Sequence, residues 1–473
     1  MLFNSSEFLF VFLPVALSGF YLLGARSRTS AIRWLILVSL AFYAWWRPVN
    51  VLIIGPSILI NFALASILLR LNQGEGSRRM STAVLVLGIC FNVAFLGFFK
   101  YTDFILGSIN DILGADLVLR HIILPLGISF ITFQKIALLI DVQAGRVRSL
   151  TFQDYCTFVL FFPQLIAGPI VHYREMMPQF QAASCRFDKE NVAIGLTLLF
   201  CGLFKKVVFA DNIALLVTPI YDHAATGGRT SFLLAWMAAV GFTLQIYFDF
   251  SGYTDMALGL ARFFGIRLPP NFNSPLRASN IIDYWLRWNM TLTRFLTAYI
   301  YNPLVLWLTR RRLEKGQPGF GGRNTTVGAF VSLLMFPIVI TMFVSGLWHG
   351  AGYGFIVWGL LHGFYLTINH GWRVVAAINS SSRVNSSMTG WPVFKVANAQ
   401  MSSVSTSCLP PKPPPTRSQK TRTLSGIRSK MKQSFCLVMY GVWLLVRTLR
   451  RPLSSQVIVQ CVSRCACWTR CVV

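Results

Sequence analysis

Ser345-Gly346-Leu347-Trp348-His349-Gly350-Ala351-Gly352 closes a long apolar stretch on a histidine. Imidazole is the one side chain that gives and takes a proton near neutral pH, and a bilayer makes polar groups expensive. His349 is therefore the first candidate for acid–base chemistry, with Trp348 and Tyr353 beside it as candidate walls of a substrate pocket. Gly346, Gly350, Gly352 and Gly354 remove side chains around it, so that another chain or a ligand can come close. A buried imidazole bonded to a backbone carbonyl is the structural alternative. His362 lies 13 residues on, about 220° away around a continuous helix, and reads as a packing or supporting residue. His121, His172, His223 and His370 lack comparable surroundings.

Four further segments carry polar residues in apolar settings. In Pro125–Lys135, Ser129, Thr132, Gln134 and Lys135 punctuate an apolar run, which predicts a face turned to protein or to a water-filled cavity and makes Gln134 a candidate substrate contact. Phe162–Ile170 is bracketed by Pro163 and Pro169 and is too short to cross alone; a re-entrant segment and a kinked structural helix both fit. In Gln245–Asp255, Asp249 and Asp255 flank an aromatic turn, and helix capping or pairing with arginine suits them better than catalysis. Across Asp283–Phe295, a helical wheel sets Trp285, Trp288, Leu292 and Phe295 on one side and Asp283, Arg287 and Arg294 on the other. Asn289 falls beside the apolar stripe, either as a satisfied structural amide or as a group that orients a catalytic partner or substrate.

The elements that position these residues follow from composition. At 54% hydrophobic and 12% charged residues, the chain carries too much apolar surface for one soluble core. The expected fold is an all-α integral membrane protein, multi-pass, with membrane lipid as its surroundings and about ten spanning or re-entrant helices. These fall near Glu7–Leu23, Ala31–Trp46, Val51–Leu69, Thr82–Phe99, His121–Ile140, Thr157–Val171, Val192–Val217, Ser231–Phe250, Thr325–Leu347 and Gly352–Ile368. The first lacks a basic leader and reads as a retained helix rather than a signal peptide. Arg26/Arg28/Arg33, Arg70/Arg78/Arg79, Arg146/Arg148 and Arg310–Lys315 recur where alternate spans return to the cytoplasm. The N-terminus is then outside, and His349 lies deep or toward the far side.

The charge is unevenly spread. Residues 1–370 hold 28 basic and 16 acidic side chains, ordinary for a membrane protein facing anionic lipid, and nucleic acid is not an expected partner. Residues 371–473 hold 15 basic and no acidic side chains, with six of the ten cysteines. Three organisations fit: a basic Ser/Pro-rich linker at 371–433 followed by a short anchor at Ser434–Val446 within 434–473, a disordered cytoplasmic tail, or translation in a shifted frame. The spacing of Cys461, Cys465, Cys467 and Cys471 is not that of a zinc ladder, and no metal is expected.

Phe99-Lys100-Tyr101, Pro125–Phe130, Phe162–Ile170, Gly202-Leu203-Phe204-Lys205-Lys206, Tyr247–Tyr253 and Gly346–Gly350 occur in this order. Together they resemble the membrane-bound O-acyltransferase (MBOAT) superfamily in its bacterial alginate O-acetylation branch, over about residues 1–370. The resemblance implies helices arranged around a central funnel in the bacterial cytoplasmic (inner) membrane. It also implies transfer of acetyl groups from a cytosolic thioester, acetyl-CoA, to an exported polysaccharide such as alginate, with periplasmic or surface acetyltransferases as partners and no tightly bound cofactor. His349 matches the family's invariant histidine. Arg287-Trp288-Asn289-Met290-Thr291-Leu292-Thr293 matches its second motif, with Asn289 where the bacterial branch usually carries His and the eukaryotic branches carry Asn. The resemblance thus makes His349 and Asn289 the catalytic pair and Trp288 a substrate neighbour. No nucleophile elbow accompanies them, so direct transfer is expected. Two other classes fit the same residues: a transporter or flippase with His349 as proton relay, and an inactive scaffold that docks a periplasmic acetyltransferase.

Overall fold

The computed structural model describes residues 1–74, 77–182, 185–320 and 326–379. The expected linker starts inside these residues, since 371–379 continue the helix Tyr353–Asn379, whereas the rest of the linker, the anchor at Ser434–Val446 and the cysteine-rich tail lie outside them. Helices α1 (Leu13–Gly24), α2 (Arg28–Trp46), α3 (Val49–Gln73), α4 (Arg78–Leu113), α5 (Ile128–Gln143), α6 (Phe152–Leu160), α7 (Phe162–Leu165), α8 (Tyr173–Ala182) and α9 (Lys189–Leu203) make up the first half. The second half comprises α10 (Asp211–Ala225), α11 (Phe232–Phe263), α12 (Ile281–Trp285), α13 (Met290–Leu296), α14 (Asn302–Glu314), α15 (Val327–Phe330), α16 (Phe336–His349) and α17 (Tyr353–Asn379). Among the described residues there is no strand. Wider π turns join α9 to α10 and α15 to α16, so six helical stretches are long and apolar enough to cross a membrane, with Phe8–Gly24 a shorter apolar one. The protein is a multi-pass membrane protein, and large apolar side chains such as Leu52, Leu215 and Phe232 stand exposed on its outside, where lipid covers them.

The expected spans need four corrections. The helix expected from His121 begins at Ile128. Gly114, left-handed at φ 64°, ends α4, and the Asp103 carboxylate accepts hydrogen bonds from the backbone N–H groups of Arg120 and Ile122, each at 2.8 Å, which engages donors a helix would need. Helix α4 itself runs on past Phe99 to Leu113. The segment around Asp249 and Asp255 is no turn but the middle of α11, and its carboxylates pair with lysines rather than arginine: Lys205 with Asp255 at 2.6 Å, and Lys206 with Asp249 at 2.7 Å and Asp211 at 2.8 Å. Asp283–Phe295 is not one helix, because the chain breaks between α12 and α13 at Asn289.

Helices α9 and α11 cross closely because glycine faces backbone: a Cβ on Gly202 would stand 2.5 Å from the Gly252 carbonyl oxygen, and one on Gly259 2.6 Å from that of Gly195. The largest core joins α1–α3, α5–α8 and α11. Within it the polar residues of α5 turn to protein, as their pattern predicted. Lys135 is buried and donates to Ser57 Oγ at 2.6 Å, one helical turn from a buried Asn61–Asn92 pair that links α3 to α4. Phe162–Ile170 is broken, a four-residue helix followed by irregular chain packed mostly within protein, the broken form rather than the kinked helix.

Helix ends fix the orientation of the site. Asn72, at the end of α3, donates to the carbonyl of Val142 at the end of α5, and Ser81 near the start of α4 bonds Asn72. The arginine-bearing ends of these three helices therefore meet. Along α4, Lys100 lies 21 residues from Arg79, about 30 Å of helix, so the residues it contacts sit at the opposite end of the span.

Candidate active site

Lys100 and Tyr101 of α4 reach the last turn of α16. Lys100 Nζ donates to the Trp348 carbonyl and the Tyr101 hydroxyl to the Leu347 carbonyl. The final carbonyls of a helix have no partner inside it, so two side chains of a neighbouring helix here do the work of a C-cap. Gly350, in extended conformation at φ −168°, then turns the chain away. Helix α17 returns against α16 where glycine permits: a Cβ on Gly346 would lie 2.3 Å from the Phe355 carbonyl oxygen, and one on Gly350 2.0 Å from the Phe355 ring. These two glycines thus admit the protein's own next helix rather than a ligand.

His349 ends α16 with its side chain open to a cavity of about 640 Å³. The cavity walls come from α4, the start of α5, the 122–127 segment and Trp348 through Ala351. Its polar lining groups include Lys100, Asp103, Ser129 and His349, and Asp103 holds the chain at Arg120–Ile122 in place through the two backbone bonds already described. Trp348 is buried between Phe130, ring centroids 5.2 Å apart, and Phe133 at 5.7 Å. The His349 ring packs between Trp348 at 4.7 Å and Trp358 at 4.9 Å, the latter edge-on at 82°. Trp358 also meets His362 at 4.7 Å, so the two histidines share one indole between them.

Asn289 begins α13 in the left-handed region, φ 43° and ψ 53°, which asparagine tolerates better than most residues. It is 2% exposed, and its side chain does not cap the helix it starts. The backbone is held instead by neighbours. Met290 N–H donates to the Asn271 carbonyl at 2.9 Å, and Thr291 Oγ donates to Asn271 Oδ1 at 2.8 Å while accepting the N–H of Ile170 at 2.9 Å. Both sides of Asn289 reach toward His349: Trp285 packs on Trp358 at 5.8 Å, and Leu292 joins the apolar cluster that contains Trp348.

The remaining expected contacts lie elsewhere. Tyr353 is exposed and packs edge-on against Phe104, a wall residue of the cavity, at 5.1 Å. Trp288 stacks on Tyr284 at 5.7 Å and meets Phe272 at 5.0 Å. Gln134 is buried within the α5 packing, and neither it nor Trp288 nor Asn289 is part of the cavity wall. Lys100 is a wall residue that spacing alone did not single out, although a lone lysine inside a 36-residue apolar helix is an expensive residue and hence a signal.

A second polar group gathers near the start of α8. His172 Nδ1 lies 2.9 Å from the Tyr299 hydroxyl, Arg294 pairs with Glu175 at 3.0 Å, and Arg294 also donates to the Ile170 carbonyl. Burial, aided by the nearby Arg294 guanidinium, lowers the pKa of His172 below its ordinary value. Near α12, the hydrogen bond from Arg287 to Asp283 at 2.7 Å holds that carboxyl below its ordinary range.

The description of the membrane-bound O-acyltransferase family matches residues 38–317, a match that stops short of His349. The peptidoglycan O-acetyltransferase of Helicobacter pylori is 41% identical over 398 residues, 78% of this chain and 70% of that protein. The "Probable alginate O-acetylase AlgI" of Pseudomonas aeruginosa is 35% identical over 412 residues, 85% of this chain and 73% of that protein. The teichoic acid D-alanyltransferase of Bacillus subtilis is 29% identical over 256 residues, about half of each chain at 52% and 59%.

Proposed function

The chain belongs to the membrane-bound O-acyltransferase family and is an acyltransferase, and from that premise we propose that it moves acetyl groups from a cytosolic thioester across the bacterial inner membrane for O-acetylation of an exported glycan. The carrying observation is the position of His349: open to a cavity about 30 Å along α4 from its arginine-bearing end, which on the positive-inside reading puts it toward the side where an exported glycan arrives. Acetyl-CoA is the donor this reading favours. The acceptor is a glycan hydroxyl, alginate being one candidate and the cell-wall glycan another, since similar proteins are named for each. Periplasmic acetyltransferases are the expected partners.

His349 accepts the proton of the acceptor hydroxyl as its oxygen attacks the acyl carbonyl carbon. The carbonyl pair moves onto oxygen and returns as the thiolate leaves, and His349 passes the proton to the departing sulfur. Asn289 orients the imidazole or polarises the acyl group from the α12–α13 break, Trp348 forms part of the cavity wall, and Tyr353 backs that wall through Phe104. One well-placed amide donor contributes about 3 kcal/mol to such a transition state.

The test is the O-acetyl content, by NMR, of surface polysaccharide and peptidoglycan from a deletion strain complemented with this chain or with His349→Ala at matched membrane levels. Acetyl esters restored by the parent alone are expected. Equal restoration by both would remove His349 from the chemistry and return the chain to a transport or scaffold role.

A further inference from the structure

Lys100 shares the cavity with His349, and the proton transfers above leave it unused. Its ammonium has three N–H donors, of which the Trp348 carbonyl takes one. Among the described residues no carboxylate pairs with it. Asp103, the other charged wall residue named above, lies one turn along α4, forms no ion pair with Lys100 and accepts the backbone N–H groups of Arg120 and Ile122. A cation kept in a cavity mostly lined by apolar groups, tied by one bond to the residue preceding the candidate base and lacking a counter-ion, is placed to meet negative charge that appears during a reaction.

We propose that Lys100 is a catalytic residue that stabilises the oxyanion of acyl transfer. Anchored to the Trp348 carbonyl, it directs its remaining N–H groups to the acyl oxygen. As the acceptor oxygen forms its bond to the carbonyl carbon, the π pair moves onto that oxygen and is held by the ammonium. The pair returns as the carbon–sulfur bond breaks, and the thiolate takes the proton carried by His349. The anchor couples the two groups: α4 sets the distance between the oxyanion donor and the base through one carbonyl. This inference rests on the acyl-transfer reading of His349.

The experiment follows the initial rate of labelled acetate entering glycan in the complemented deletion strain, with full-length variants compared at equal membrane level. Lys100→Met lowers the rate by about 10²–10³-fold, the range for loss of one oxyanion donor, while Lys100→Arg, which keeps a cation with several donors, retains roughly a tenth or more. Tyr101→Phe removes the neighbouring carbonyl bond but no charge, and stays within about threefold, since one neutral hydrogen bond is modest. A Lys100→Met rate within about threefold of the parent, or equal losses for Lys100→Met and Tyr101→Phe, reduces Lys100 to a clamp and overturns the proposal. Should Lys100→Met be missing from the membrane, Lys100→Gln against Lys100→Arg decides: a large deficit for Gln supports the proposal and equal rates overturn it. His349→Ala is run beside them, and if it is active the acyl-transfer reading itself fails, whatever Lys100 does.

Discussion

Thr291 is the strongest test of how the fold positions Asn289. The residue is 3% exposed, and its hydroxyl donates to Asn271 Oδ1 at 2.8 Å and accepts the Ile170 N–H at 2.9 Å. Thr291→Val keeps the shape and removes both bonds. The Ile170 N–H is left without its acceptor inside protein, at a cost of about 1–3 kcal/mol, and the lost bond to Asn271 adds about 1 kcal/mol. The sum, roughly 2–4 kcal/mol, predicts a fall of about 2–5 °C in the thermal midpoint of the detergent-purified protein at the entropy of unfolding of a chain this long. Thr291→Ser keeps the hydroxyl and gives up one methyl, so it should lie much closer to the parent. Glycan acetylation should fall in Val and persist in Ser, because the same hydroxyl ties the broken segment at Ile170 to the helix that Asn289 begins. If the Val and Ser variants melt within about 1 °C of each other, the bonds around Thr291 are not what holds this corner and the reasoning is refuted.

Gly346→Ala places a methyl 2.3 Å from the Phe355 carbonyl oxygen, a backbone atom of α17 that a side-chain adjustment cannot move. Such overpacking costs about 1–3 kcal/mol and shifts the turn carrying His349, so activity should drop further than thermal stability; normal acetylation at normal membrane level would show that α16 and α17 can separate harmlessly. His172, outside the membrane-spanning helices, supplies a pH test. Its pKa is lowered in the fold from an ordinary value of 6.5, so the unfolded chain binds a proton first as pH falls. Stability from this group is complete above 6.5 and is lost as pH drops below it toward the folded value. The parent's thermal midpoint should decline over that window, with a smaller decline in His172→Gln, and identical profiles would exclude the group.

The helices were legible wherever apolar length alone decided them, as in α2, α3 and the stretch ending at His349. They were misread where one polar side chain outweighed the local pattern. Nothing between Gly114 and Pro125 forbids a helix as firmly as Asp103 does, and Asp103 sits on another element, so sequence neighbours cannot reveal it. The wheel drawn through Asp283–Phe295 failed for the same reason. It grouped Trp285 with Leu292, whereas the break at Asn289 sends Trp285 to Trp358 and Leu292 to the Trp348 cluster. That break is itself the useful result, because it lets two short helices reach both sides of His349, which one continuous helix with the same residues on a single stripe would not do. The candidate base could be found from its setting in the sequence. Its support was marked only as residues, Lys100 and Tyr101 in the first of the ordered motifs; that they act on carbonyl groups about 250 residues away was not, because every residue has a carbonyl and no spacing pattern marks it.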